Sequence, residues 1–119
     1  MFESANVTLV VSNFENSLSF FTEKLGLVVV YRHQDEWAEL GGPGITIGLT
    51  PAKEREEAKN PLSPAIALNV IDLETAMTSL SARGISFQGP VREEKNARLA
   101  FFEDPDRHPF YLCQVRSHF

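Results

Sequence analysis

The sequence repeats itself. "VSNFENSLSFFTEKLGL" from Val11 and "VIDLETAMTSLSARGI" from Val70 align at an offset of 59, Val11 on Val70, with Asn13 on Asp72, Phe14 on Leu73, Glu15 on Glu74, Leu18 on Met77 and Phe21 on Leu80. The glycines that follow, Gly26 and Gly84, stand 58 apart, so the second copy is one residue shorter. An internal repeat of this kind means that each copy is one supersecondary unit built to a common plan.

The plan is legible within each copy. "NVTLVV" and "PAIALNV" are β-branched or small apolar runs of strand length. Asn13 and Asp72 offer side-chain acceptors to the free N–H groups of a helix start, and Glu15 and Glu74 put negative charge in the first turn. Leu18, Phe21 and Leu25 in one copy, and Met77 and Leu80 in the other, make one apolar stripe per helix. Gly26 and Gly84 then end the helices at the position that favours a left-handed backbone. Extended runs follow: "LVVVYRH", "EWAEL" and "GITIGLT" in the first half, "ISFQGP", "ARLAFFE" and "PFYLCQV" in the second. The expectation is an α+β chain of two βαβββ modules, residues 1–50 and 64–119, joined by a charged, proline-bounded linker at 51–63. "ELGGPGIT" is glycine-rich but lies between two strand-like runs, so it reads as a hairpin loop and not as a phosphate cradle.

Charge narrows the partners. A formal net charge of -5 and a pI near 5.1 have the wrong sign for neutralising phosphates, which argues against nucleic acid and anionic membranes. No apolar stretch approaches membrane-spanning length. With Cys113 as the one cysteine and no basic-then-apolar leader, the expected setting is a soluble, cytoplasmic, reducing one.

Three segments together, the two helix openings and the closing "FFEDPDRHPFYL", resemble the vicinal oxygen chelate superfamily: the glyoxalase, bleomycin-resistance protein and extradiol dioxygenase group. The resemblance spans nearly the whole chain. It implies that each module curls four strands around half of a cleft. In the family's enzymes the first and fourth strands of each module supply imidazole or carboxylate ligands to zinc, iron or nickel. The matching places here are Asn6, seven residues before the capping Asn13; Ala65, seven before Asp72; Gly48 on the fourth strand; and Tyr111, seven after Asp104 of the closing turn. None is a histidine or a carboxylate, so neither a metal nor another cofactor is expected, and metal-dependent glyoxalase or dioxygenase activity is not.

Strand alternation bears on the same residues, because side chains two apart share a face. If Val7, Leu9 and Val11 pack on the helix, then Asn6, Thr8 and Val10 face the hollow, as do Thr46, Gly48 and Thr50, and Ala65, Ala67 and Asn69. This small, polar face is either left open for a ligand or lets a neighbouring aromatic pack closely. Trp37, Glu39, Arg98 and Tyr111 are the expected ligand contacts, with Asn6, Thr46 and Asn69 beside them. Trp37 offers a flat surface with one donor, or seals an edge or interface; Arg98 meets a carboxylate or phosphate, or pairs with Glu39 or a surface acid. His33 reads as part of an exposed, charged hairpin, His108 as a turn residue, and His118 as surface near the end of the sequence. Cys113 shares the face of Tyr111 and reads as a small hydrophobe.

Three functional readings stay open on these residues. One is a metal-free small-molecule binder that sequesters an antibiotic or metabolite, as a homodimer by the resemblance. Another is a lyase, isomerase or dioxygenase-like enzyme with a displaced metal site, or with Glu39 as base and Tyr111 as acid. The third is a partner-binding module whose hollow is filled by side chains.

Overall fold

A computed structural model of the chain describes residues 6–52, 65–95 and 97–115. The linker expected at 51–63 lies outside these residues apart from Pro51 and Ala52, and so does His118. The chain divides into two compact units, Met1–Pro61 and Leu62–Phe119.

In the first unit the order is β1 (Val7–Val11), α1 (Phe14–Ser19) running on into a π-turn (Phe20–Lys24), β2 (Val28–His33), β3 (Trp37–Gly42) and β4 (Ile45–Pro51). The sheet order is β1-β4-β3-β2, with β1 parallel to β4 and the other pairs antiparallel. The side chain of Asn13 caps α1 by accepting from Asn16 N–H at 2.9 Å. Pro43 and Gly44, the latter at φ 71°, turn β3 into β4, as the hairpin reading of "ELGGPGIT" expects. Leu9, Val11, Ala38, Leu40, Ile47 and Leu49 form the buried sheet face, and Phe14, Leu18, Phe20 and Phe21 are the buried side of the helix. Val7, at the start of β1, is exposed instead of buried with Leu9 and Val11. Arg32 reaches from β2 to Glu15 and Asp35, with its guanidinium over the Phe14 ring. Glu15, read from sequence only as a charge at a helix start, therefore also ties the helix to the sheet.

The second unit repeats the plan with β5 (Ile66–Asn69), α2 (Leu73–Ala82), β6 (Gln88–Glu93), β7 (Ala97–Glu103) and β8 (Pro109–Val115), in sheet order β5-β8-β7-β6. Asp72 caps α2 through Thr75 N–H at 3.1 Å, and Gln114 accepts from Leu73 N–H at 2.6 Å. The registers show how far the repeat extends. Ala38 faces Leu49 and Leu40 faces Ile47 in one sheet; Ala100 faces Leu112 and Phe102 faces Phe110 in the other. Bulk is redistributed between the copies: the first unit draws its large rings from the helix, whereas the second draws Phe102 and Phe110, stacked at 5.4 Å, from its strands.

The turn between β7 and β8 is organised by one buried carboxylate. Asp104 accepts from Asp106 N–H at 3.0 Å and His108 N–H at 2.7 Å through Oδ1, while Oδ2 lies 2.6 Å from His108 Nδ1. Both side chains are only 5% exposed as residues, so His108 is a turn residue with an internal partner. Arg107 sits at φ 66°, a conformation uncommon for a residue with a Cβ. Burial alone would lower the His108 pKa, but the hydrogen bond and charge of Asp104, helped by Asp106, outweigh it and hold the imidazole above its ordinary value. A raised folded-state pKa stabilises fully below the unfolded imidazole's value of about 6.5, and that stabilisation is lost as pH rises through the folded value. The melting temperature of the wild type is therefore expected to fall, relative to His108→Asn, as pH is raised above about 6.5. Parallel pH profiles of the two proteins by thermal melts would contradict this.

Candidate functional site

Each sheet has a second face, turned away from its helix. In the first unit this face carries Thr8, Trp37, Glu39, Thr46 and Gly48 by strand alternation from the buried set. Asn6 joins it, accepting at 2.8 Å from the Thr8 hydroxyl. Four of the residues expected to contact a ligand, Asn6, Trp37, Glu39 and Thr46, thus share one face.

The indole decides how that face is filled. A Cβ built on Gly48 would lie 2.4 Å from Cη2 of Trp37, a distance real Cβ atoms essentially never show. The outer edge of the ring covers the glycine, so a larger side chain there would have to displace the indole. Of the two readings of a small residue there, the neighbouring aromatic is the one that holds at Gly48. Glu39 is the cross-strand partner of Gly48, and Tyr31 is the partner of Glu39. The edge strand β2 adds Val28, Val30 and Tyr31, which are 64%, 63% and 52% exposed. His33 stands in the exposed hairpin, 3.6 Å from Glu36.

In the second unit the open face holds Tyr111 with Ala67 beside it in register, and Cys113 with Asn69. Tyr111 does not stand alone: Phe101 is its cross-strand partner, with ring centroids 5.4 Å apart and planes 37° apart. Arg92 faces Leu99 across β6 and β7, and its guanidinium carbon lies 5.6 Å from the Phe101 centroid.

Arg98 is elsewhere. It has the parity of Ala100 and Phe102, hence the helix-facing side of β7. There it pairs through both terminal nitrogens with Glu74 of α2, at 2.6 Å and 2.9 Å, and through Nε with Glu93 at 3.1 Å. The hydrogen bond from Arg98 holds the Glu74 carboxyl below its usual range. The structure therefore separates Arg98 from Tyr111 and Asn69, and gives it the neighbouring-acid role.

Phe101 and Arg92 were not singled out by sequence reasoning. Phe101 was within reach, since the tight turn at Asp104 fixes the register that sets it opposite Tyr111. Arg92 was not, because a register shift between Gln88 and Arg92 breaks the alternation along β6.

At the four places where the resemblance implies metal ligands stand the amide of Asn6, a glycine covered by an indole, the exposed Ala65 and the phenol of Tyr111. Among the described residues no three side chains of His, Cys, Asp or Glu come together as a set that could hold an ion. No helix among the described residues is long and apolar enough to cross a membrane.

Two βαβββ units, each with its first and last strands parallel and adjacent and its own helix on one sheet face, define a two-module α+β protein. The chain belongs to the Glyoxalase/Bleomycin resistance protein/Dioxygenase superfamily, whose family model matches residues 4–112. No curated protein matches it. Among solved structures it is similar to a member of this superfamily from Sphaerobacter thermophilus DSM 20745, at 25% identity and a TM-score of 0.77 over 96% of this chain and 98% of that one. An integron cassette protein from the mobile metagenome of the Halifax Harbour sewage outfall is 26% identical, with a TM-score of 0.77, 96% of this chain and all 100% of the other being covered. TnmS3, an antibiotic binding protein from Streptomyces sp. CB03234, shares the fold at 22% identity and a TM-score of 0.71, with 97% and 99% covered.

Proposed function

We propose that this chain is a small-molecule-binding member of the superfamily that lacks the usual metal ligands and sequesters an antibiotic or metabolite. The observation that carries this reading is Trp37 lying on Gly48, at a place where the family's enzymes put a carboxylate. A side chain able to grip a divalent ion would have to displace that ring, and Asn6, Ala65 and Tyr111 offer an amide, a methyl and a phenol where imidazole or carboxylate donors are needed. The residues do not fit such an ion, and no chemical step is assigned to one. What the open faces do offer is aromatic surface with a few polar groups, the usual make-up of an organic ligand site. TnmS3 is described as an antibiotic binding protein, which supports the same reading. Pairing of two copies as a homodimer belongs to this proposal, and the exposed apolar edge of Val28, Val30 and Tyr31 supports it.

Trp37 is the only tryptophan of the chain, so its emission is a direct readout. Titration with a panel of aromatic antibiotics and metabolites is expected to give a saturable change in emission for at least one compound. Calorimetry with Trp37→Ala is expected to show about tenfold or greater weakening, the loss of one well-packed aromatic contact. Absence of saturable binding across the panel would defeat the proposal. So would native protein carrying stoichiometric zinc, iron or nickel whose removal abolishes a lyase, isomerase or dioxygenase activity.

A further inference from the structure

We infer that the open face of the second unit takes a planar aromatic carboxylate, with Phe101 and Tyr111 as its ring platform and Arg92 as the partner of its anion. This rests on the small-molecule reading above and goes further by naming the ligand's chemistry. Three strand arginines stand among the described residues, and their surroundings differ. Arg32 is held by Glu15 and Asp35, and Arg98 by Glu74 and Glu93, both on the helix-facing sides of their sheets. Arg92 is on the open face, and its Nε donates to Glu94 at 2.7 Å. Its two terminal NH2 groups have no acceptor among the described residues, which leaves four of the guanidinium's five donors in a planar fork. A fork of that shape matches a carboxylate better than a point charge does.

The ring platform lies within reach. The guanidinium carbon of Arg92 is 5.6 Å from the Phe101 centroid, and Phe101 lies 5.4 Å from Tyr111. A ligand ring resting on this pair would bring a substituent on its edge toward the Arg92 fork. Glu103 sets the direction. It shares the face of Phe101 but lies four residues along β7 from Leu99, the partner of Arg92, or about 13 Å at strand spacing. At the Leu99 end the terminal N–H donors of Arg92, whose Nε is taken by Glu94, receive an anionic group, and the Glu103 end repels it, so the ligand has one preferred orientation.

The test compares 2-naphthoate with its neutral isostere 2-naphthamide by calorimetry on the full chain. The expected result is at least tenfold tighter binding of the acid. Arg92→Gln is expected to remove that preference, and Arg98→Gln to keep it; Phe101→Leu is expected to weaken both compounds. Arg92 is exposed, so its variant should melt with the wild type, which separates lost recognition from lost folding. Equal affinity for acid and amide, or a preference that survives Arg92→Gln, overturns the inference. Binding of panel compounds through Trp37 without binding of naphthoate also overturns it, while leaving the small-molecule function standing; failure of both defeats both.

Discussion

Asp104→Ala is expected to destabilise the fold by about 3–5 kcal/mol, the range for removing one partner of a buried, hydrogen-bonded charge pair. The carboxylate holds two backbone N–H groups and the His108 ring at once, and all three lose their acceptor in the variant. Each buried donor left without a partner costs about 1–3 kcal/mol on its own. Solvent cannot easily replace the carboxylate, since Asp104 and His108 are almost fully covered. Arg107 adds to the sensitivity, because its left-handed backbone persists only where its surroundings enforce it. Denaturant unfolding should show a lower midpoint at an unchanged slope, and Asp104→Asn should fall between wild type and the alanine variant, since the amide keeps one acceptor. A loss below about 1 kcal/mol for Asp104→Ala would mean that the turn is held by something else.

The second large effect is expected from Gly48→Glu, the substitution that restores a carboxylate to the place the family's enzymes use. It is expected to destabilise by about 3 kcal/mol and to create no metal site. Its Cβ alone would lie 2.4 Å from the Trp37 ring, and overpacking of that kind costs about 1–3 kcal/mol. The new carboxylate would stand directly across from Glu39 in the antiparallel register, where like charges repel. Displacement of the only tryptophan should also shift its emission in the variant's folded state. Unchanged melting and unchanged emission would show that the indole does not rest on Gly48; uptake of zinc at micromolar affinity would undo the metal-free reading.

The fold was largely legible because the repeat encodes it locally. Asn13 and Asp72 cap their helices, and the buried strand faces centre on Leu9, Leu40, Ile47, Phe102 and Phe110, as alternation requires. The open face of the first unit was legible for the same reason, since Trp37 and Glu39 inherit their side from Ala38 and Leu40. Arg98 was not, although its parity with Phe102 was available: whether an arginine meets a ligand or an acid depends on what stands opposite, here Glu74 from a distant stretch of chain. The contact between Trp37 and Gly48 was also hidden, because periodicity reports which side a ring takes and not which neighbour it leans on.

The one-residue difference between the two copies has a physical address. Leu27 N–H donates to Phe21 O six residues back, across the widened turn that ends the first helix, whereas the matching bond in the second copy, from Ile85 N–H to Leu80 O, spans five. The surplus residue is taken up as a local loosening of the coil, so Gly26 and Gly84 still release their chains into equivalent strands. Within this one chain, therefore, two lengths of helix end feed the same strand order, and the extra residue never reaches the sheet.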